Sequence, residues 1–434
     1  MKPSKRSLLF AVPGIAILTL SLCADALGIG GSNGIGSVQI IAVCAGVLSI
    51  LVGLAISRRA HPSNNHLSTK KKLLFLSFCI GCVTLPLLVT VVLYKSHLLY
   101  ASVSSRQSRG WKGTPHRDDP ALGYTAIANG EGSETFSIGP EIPIRYSAEG
   151  FRIPRQAALK DRHRHGPVIL FLGCSFTYGA ACLAEETFAE RVGQATDGTP
   201  LNAGKCSYGL SQMVLLARQL VPELKPDYVV VQYSPWLVDR AMNPFMPSRF
   251  GKLPGPYYSN EKNGEIRIQP PVFSTKLFDL PIDEFRGNTD QGFLSFVCRV
   301  GAPLYMNDLW NMTLHRARCI INVAPKPATD REGVIRTAYE DMSSVCQEQD
   351  ARMVVLILGN SMNRIEIPKG LRTSEVQLVD AQQALIDRLK ISQQYGRVYK
   401  HWRGTPAKQV DGHPNAHAHA IIAETLVRAI QNNR

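Results

Sequence analysis

Pro167-Val-Ile-Leu-Phe-Leu172, running straight into Gly173-Cys-Ser-Phe-Thr-Tyr-Gly179, is the stretch on which the fold turns. The run from Val168 to Leu172 is apolar without alternation, which marks a strand buried on both faces, as in a parallel sheet. Working outward, Glu185 to Ala195 has helical spacing with Phe188, Val192 and Ala195 on one side. Leu210 to Leu224 reads as a second helix ending before Pro226, and Tyr228-Val-Val-Val-Gln-Tyr233 as a second buried strand. Asp330 to Gln349 predicts a helix, Ala351 to Leu358 a strand, and Thr373 to Leu389 a helix. Gly396 to His401 reads as a last strand before a helix from Asn415 to Ile430. Strand and helix in alternation predict an α/β domain of three layers, α/β/α, around a parallel sheet.

In such sheets the ligand site lies at the carboxyl ends of the strands. After the first strand, Ser175 follows two small residues at the head of a helix-bound turn, where backbone N–H groups favour an oxyanion. Thr177 breaks the G-x-S-x-G pattern, which argues against an α/β-hydrolase elbow. Near the C-terminus, Asp411-Gly-His413-Pro-Asn415 sets an acid two residues before a histidine, just ahead of a helix that Asn415 caps. That spacing can orient an imidazole toward a nucleophile. His417 and His419 read as surface residues on the first turn of that helix.

Gly173-Cys-Ser-Phe-Thr-Tyr-Gly179 resembles the first block of the SGNH, or GDSL-like, hydrolases. Leu201-Asn-Ala-Gly204-Lys-Cys-Ser-Tyr-Gly209 resembles their second block, and Asp411-Gly-His413-Pro-Asn415 their last. The resemblance covers residues 120–434 outside an insertion, and it implies a flavodoxin-like α/β/α domain. It further implies Ser175 as nucleophile, His413 as general base and then acid, and Asp411 as the group orienting its ring. The oxyanion would be held by the N–H groups of Ser175 and Gly204. Three departures stand out. Cys174 occupies the usual Asp position, the last block is D-x-H where many relatives have D-x-x-H, and the third block lacks its Asn. In place of that Asn the chain reads Gln232-Tyr-Ser234-Pro-Trp236-Leu-Val-Asp239, and Trp236, near the expected place, reads either as a substitute oxyanion donor through its indole N–H or as a packed aromatic. The constellation requires neither cofactor nor metal.

The 434 residues carry a net charge of +14, but the excess is local. Residues 1–113 hold 12 Lys/Arg and one acid, Asp25, whereas the remaining 321 carry 36 bases and 33 acids, only +3. A nearly neutral main domain has no broad phosphate-binding face, which excludes nucleic acid as the partner. Three uncharged runs, Ser7 to Ala24, Val38 to Ile56 and Leu73 to Tyr94, each have the ~20 residues that a helix needs to span a bilayer. They predict a transmembrane region over residues 1–98 with helices at 7–27, 37–57 and 73–95. The first run reads either as a retained helix or as a cleaved signal peptide ending near Ala24-Asp25-Ala26. Arg58, Arg59, Lys70, Lys71 and Lys72 lie between the second and third runs, which places that loop in the cytoplasm and all that follows Tyr94 outside. Residues 99–119 read as a juxtamembrane linker and 120–434 as the extracytoplasmic domain. Three uncharged spans offer no ionisable residue to mark a transport pathway.

Residues 240–325, rich in Pro, Gly and aromatics, are too long for a loop and read as an insertion with structure of its own. Trp236, Tyr257, Tyr258, Phe273 and Trp310 in or beside it form either an aromatic acceptor surface or the insertion's core. The outer cysteines would face an oxidising compartment, with Cys182–Cys206 and Cys298–Cys319 as candidate bridges. The expected activity is a membrane-anchored esterase or O-acyltransferase on acyl, above all acetyl, esters of envelope or exported glycans. The alternative is a weak or inactive module that binds glycan or scaffolds an envelope complex.

Overall fold

The computed structural model describes residues 88–432 apart from residues 106–109, 114, 140, 156–164, 249, 262–263, 289, 362, 372–375 and 390–391. The first two expected membrane spans, and the third up to residue 87, lie outside the described residues. Among the described residues no helix is long and apolar enough to cross a membrane. These residues form two compact units, 88–101 with 292–302, and 102–291 with 303–432. In the first, residues 88–101 are helical and Tyr100 packs on Phe293 and Phe296, with ring centres 5.7 and 5.3 Å away.

The second unit is built on five parallel strands: β1 (Val168–Leu172), β2 (Thr199–Asn202), β3 (Tyr228–Tyr233), β4 (Arg352–Ile357) and β5 (Gln377–Asp380). Their order across the sheet is β5-β4-β3-β1-β2. Read from the other edge this is 2-1-3-4-5, the flavodoxin-like doubly wound order, with its switch point between β1 and β3. Ile169 pairs with Tyr228 and Leu172 with Val231 across that switch. Ile169–Leu172 and Val354–Ile357 are wholly buried, which is what unalternating apolar runs require.

Between the strands run α1 (Ser175–Tyr178), α2 (Phe188–Thr196), α3 (Leu210–Leu224), α4 (Pro235–Ala241), α5 (Ala302–Ile320) and α6 (Arg331–Gln347). After β5 come α7 (Ala381–Leu389), α8 (Ser392–Tyr399) and α9 (Ala416–Gln431). Right-handed crossovers reverse direction at β1, so α2 and α3 fall on opposite faces. In agreement, α9 packs on α2 and α7, while α6 packs on α3. Thr187 caps α2 by accepting from Glu190 N–H, and Asn415 caps α9 by accepting from the N–H groups of His417 and Ala418.

Four sequence expectations change. The stretch from Thr373 to Leu389 is not one helix: β5 occupies Gln377–Asp380 before α7 begins. Its four residues, with only Val379 buried, are too short to show a strand period. Gly396–Tyr399 is the end of α8, and the strand that starts at His401, β6 (His401–Arg403), pairs antiparallel with β7 (Lys408–Asp411) as a hairpin outside the sheet. Among the described residues no disulfide joins any of the six outer cysteines. Cys182 is buried with its thiol 3.5 Å from Pro414 O, and Cys319 Sγ faces Pro325 O and His315 Nε2, each at 3.4 Å. The insertion contains two hairpins, Phe245–Ser248 with Gly251–Pro254 and Tyr257–Asn260 with Ile266–Gln269, followed by α5.

His419, expected at the surface, is wholly buried. Its Nδ1 accepts the Phe188 N–H at 3.1 Å, and its ring stacks on Phe188 at 5.5 Å. Burial lowers its pKa to about 3, and burial with the Lys205 charge does the same for His116. Both rings charge readily once exposed by unfolding, near pH 6.5. Their contribution is therefore full above that pH and is lost as the pH falls toward about 3. The midpoint of thermal unfolding is expected to drop between pH 7 and pH 4, and to drop less steeply in His419→Asn, whose Oδ1 can keep the Phe188 bond. An equal slope in both proteins would show that His419 does not drive the acid sensitivity.

Candidate active site

Ser175 opens α1 directly beyond β1, so its position follows from where the sheet ends. The turn there has no room for a side chain at 173: a Cβ on Gly173 would collide with Thr177 and stand 2.7 Å from Gln232 Oε1. Gly179 closes the helix in the left-handed region at φ 78°, donating back to Ser175 O and Phe176 O. With α1 only four residues long, tertiary contacts must hold it, because so short a helix cannot hold itself.

Gln232 and Arg152 supply those contacts. Gln232, wholly buried on β3, accepts from Cys174 N–H at 3.1 Å and from Thr177 Oγ1–H at 2.8 Å. Its amide nitrogen donates to Ser234 Oγ at 2.8 Å, and Ser234 donates to Leu358 O at 2.7 Å. The ends of β1, β3 and β4 are thereby laced together. Arg152, 1% exposed, donates to Tyr178 O and Gly179 O, each at 2.6 Å, and to Cys182 O at 2.5 Å. Its guanidinium also lies 4.2 Å from the centre of the Tyr178 ring. A cation at the C-terminal end of α1 complements the carbonyls exposed there.

From the far end of the chain, β7 delivers Asp411, which is 2% exposed. Asp411 Oδ1 lies 2.6 Å from both the backbone nitrogen and Nδ1 of His413. Since an ionised carboxylate only accepts, Nδ1 carries the proton and Nε2 presents its lone pair. That lone pair faces Ser175 Oγ at 2.9 Å. The loop carrying His413 is held on both sides: Asn415 N–H donates to Tyr399 O at 2.7 Å, and His401 Nε2 lies 3.0 Å from Pro414 O. Ser175, His413 and Asp411 are thus brought into one hydrogen-bonded chain across 238 residues of sequence.

The remaining candidates are arranged differently. Gly204 sits against α1, where a Cβ would be 2.5 Å from Tyr178 N, so only glycine allows the approach. Its N–H donates to Asn202 Oδ1 at 3.1 Å, and Asn202 donates onward to Thr177 O at 2.9 Å. Trp236 packs on Phe176 with ring centres 5.1 Å apart, and Phe176 packs on His413 at 5.5 Å. The indole is therefore one ring removed from the imidazole, and it does not line the cleft.

Ser175 and His413 open into a cleft of about 550 Å3 walled by Trp111, Tyr124, Phe250 and Phe278 and bordered by Arg240 and Glu134. The aromatic residues read as either an acceptor surface or the insertion's core lie elsewhere. Tyr257 and Tyr258 are buried at 2% and 1% exposure, Phe273 packs on Phe245, and Trp310 points outward. Sequence reading missed Trp111 and Tyr124, which come from short strands ahead of the main sheet, and Arg152, a basic residue between Phe151 and Ile153. Gln232 did leave a signal: it is the one polar side chain between valines and Tyr233 in an otherwise apolar strand.

No family model matches the chain, and no curated protein does. Among solved structures, one similar to it is an α/β hydrolase from the metagenome of Lake Arreo, Spain, at 12% identity, covering 62% of this chain and 97% of that one, with a TM-score of 0.32. A catalytic mutant of an acetylxylan esterase from Geobacillus stearothermophilus matches at 13% identity over 62% and 96%, with a TM-score of 0.31. A G-D-S-L family putative lipolytic protein from Desulfitobacterium hafniense matches at 10% over 60% and 98%, with a TM-score of 0.29.

Replacing Gln232 with Leu leaves the Cys174 N–H and the Thr177 hydroxyl buried without their acceptor, at about 1–3 kcal/mol for each orphaned group. Urea denaturation of Gln232→Leu is expected to show a loss of about 2–6 kcal/mol for the two groups together. Full stability in the variant would mean that the lacing of the strand ends is not what holds the turn.

Proposed function

We propose that the chain is a serine esterase of the SGNH type, acting on acyl esters of glycans from outside a membrane to which its N-terminal segment anchors it. The observation that carries this reading is the chain Ser175 Oγ, His413 Nε2 at 2.9 Å, and His413 Nδ1 to Asp411 Oδ1 at 2.6 Å. A serine hydroxyl is a weak nucleophile at neutral pH unless a base stands beside it. In this reading Ser175 Oγ attacks the ester carbonyl while its proton passes to His413 Nε2. Asp411 stabilises the imidazolium so formed, and the oxygen of the tetrahedral intermediate lies at the N-terminal end of α1, against the Ser175 N–H. Collapse expels the sugar hydroxyl, which takes the proton from His413, and leaves an acyl-Ser175. Water or a second sugar hydroxyl, deprotonated by His413, then releases the acyl group. Those two acceptors separate hydrolysis from acyl transfer. The aromatic walls of the cleft suit the apolar faces of sugar rings. The membrane part of the reading rests on the three uncharged N-terminal runs and the basic loop between the second and third of them.

One observation favours a second reading, a module that binds glycan with little turnover. The Gly204 N–H is spent on Asn202 Oδ1, and losing one oxyanion donor typically costs about 10²–10³ in rate. Labelling of the full chain in detergent with a fluorophosphonate probe separates the two. The esterase reading expects a labelled wild type, no label on Ser175→Ala, and little on His413→Ala. It also expects Asp411→Asn to lose about 10³–10⁴ in hydrolysis of an acetylated sugar ester. An unlabelled but folded wild type would overturn it and leave the binding module.

A further inference from the structure

Trp310 lies outside the cleft because α5 is turned inside out. Along this helix the buried positions are Leu304, Asp308 and His315. Asp308 Oδ2 accepts from Lys252 N–H at 2.9 Å, and the His315 ring stands edge-on to Phe245 and Tyr257, with centres 5.4 and 5.9 Å away. At about 100° per residue, Met306, Leu309, Trp310, Thr313, Ala317 and Ile320 fall on the opposite side. Those positions are exposed, with Trp310 at 69% and Ile320 at 77%. Ile321 and Val323 extend the surface past the helix end at 66% and 70% exposure. A helix that buries an aspartate and a histidine while offering tryptophan and isoleucine to the outside is built for a second apolar surface.

The charges around the stripe say what that surface is. Arg316 and Arg318 fall on its two sides, and Lys326 follows it; all three are exposed. The only acid between residues 303 and 329 is Asp308, which is buried. An apolar stripe of about 21 Å (fourteen steps of 1.5 Å), edged by cations, free of exposed acids and carrying a tryptophan, has the composition of a helix lying in a bilayer interface. We infer that the outer face of α5, from Met306 through Val323, docks the domain flat on an anionic lipid surface. Apolar side chains enter the headgroup boundary while Arg316, Arg318 and Lys326 meet lipid phosphates. This goes beyond the esterase reading and does not depend on it.

The full chain, reconstituted in nanodiscs of phosphatidylglycerol with phosphatidylcholine, tests the inference through its own tryptophans. The chain has four, Trp111, Trp236, Trp310 and Trp402, and only Trp310 is on this face. Lipid brominated near the glycerol end of the acyl chains is expected to quench up to about a quarter of the emission. That quenching is expected to disappear in Trp310→Phe, a surface change that leaves the fold alone, and to shrink in nanodiscs of phosphatidylcholine only. Quenching equal in wild type and Trp310→Phe, or none in either, overturns the inference. A Trp310 emission shifted to the blue but insensitive to bromine also overturns it, since protein, a second copy or another part of the chain, would then cover the face.

Discussion

One buried amide sets the geometry on which the rest depends. Gln232 lies on a strand with no water on either side, so its oxygen and nitrogen must both find partners within the protein. The partners at hand are the backbone of Cys174, the hydroxyls of Thr177 and Ser234, and through Ser234 the carbonyl of Leu358. Satisfying them ties the ends of β1, β3 and β4 at the switch point of the sheet. A loose turn after β1 would let Ser175 drift. With Gln232 beneath it and Arg152 gripping three carbonyls at its far end, α1 is held at both termini.

The other half of the site reaches that point by a different logic. Asp411 and His413 are not on a strand of the main sheet but at the end of a hairpin outside it, and the loop is positioned by Asn415 and His401 rather than by sheet hydrogen bonds. The short link from Asp411 to His413 lets a single carboxylate oxygen accept from both the backbone and the ring. That double contact fixes the imidazole tautomer and aims Nε2 at Ser175.

The insertion shows how little an aromatic residue's identity says about its direction. Tyr257 and Tyr258 face inward and become core, Trp310 faces outward, and Phe250 and Phe278 reach the cleft. The ring wall there is completed by Trp111 and Tyr124, more than 50 residues ahead of Ser175 in sequence. His116 lies among these rings, 4.8 Å from Trp111 and 3.0 Å from the Tyr146 hydroxyl, too deeply buried to charge at neutral pH.

The long apolar runs made β1, β3 and β4 legible, since only a two-sided burial tolerates five or six such residues in succession. The stop before Pro226 and the Asn415 cap made α3 and α9 legible, and Ser175, Asp411 and His413 stood out through the blocks that resemble those of the SGNH hydrolases. β2 and β5 were not, because four-residue edge strands buried on one side leave no run and no period. Nor could the sequence tell that Gly204 spends its N–H on Asn202, that Trp236 backs Phe176 instead of facing the cleft, or that Arg152 grips α1. Those outcomes depend on which groups happen to meet once the sheet has closed. The sequence by itself determined which segments must be buried and which side chains are candidates for chemistry, because burial and reactivity belong to side chains. Only the tertiary structure decided which of those residues meet and which way they point, because distance and direction belong to the packing of the whole sheet.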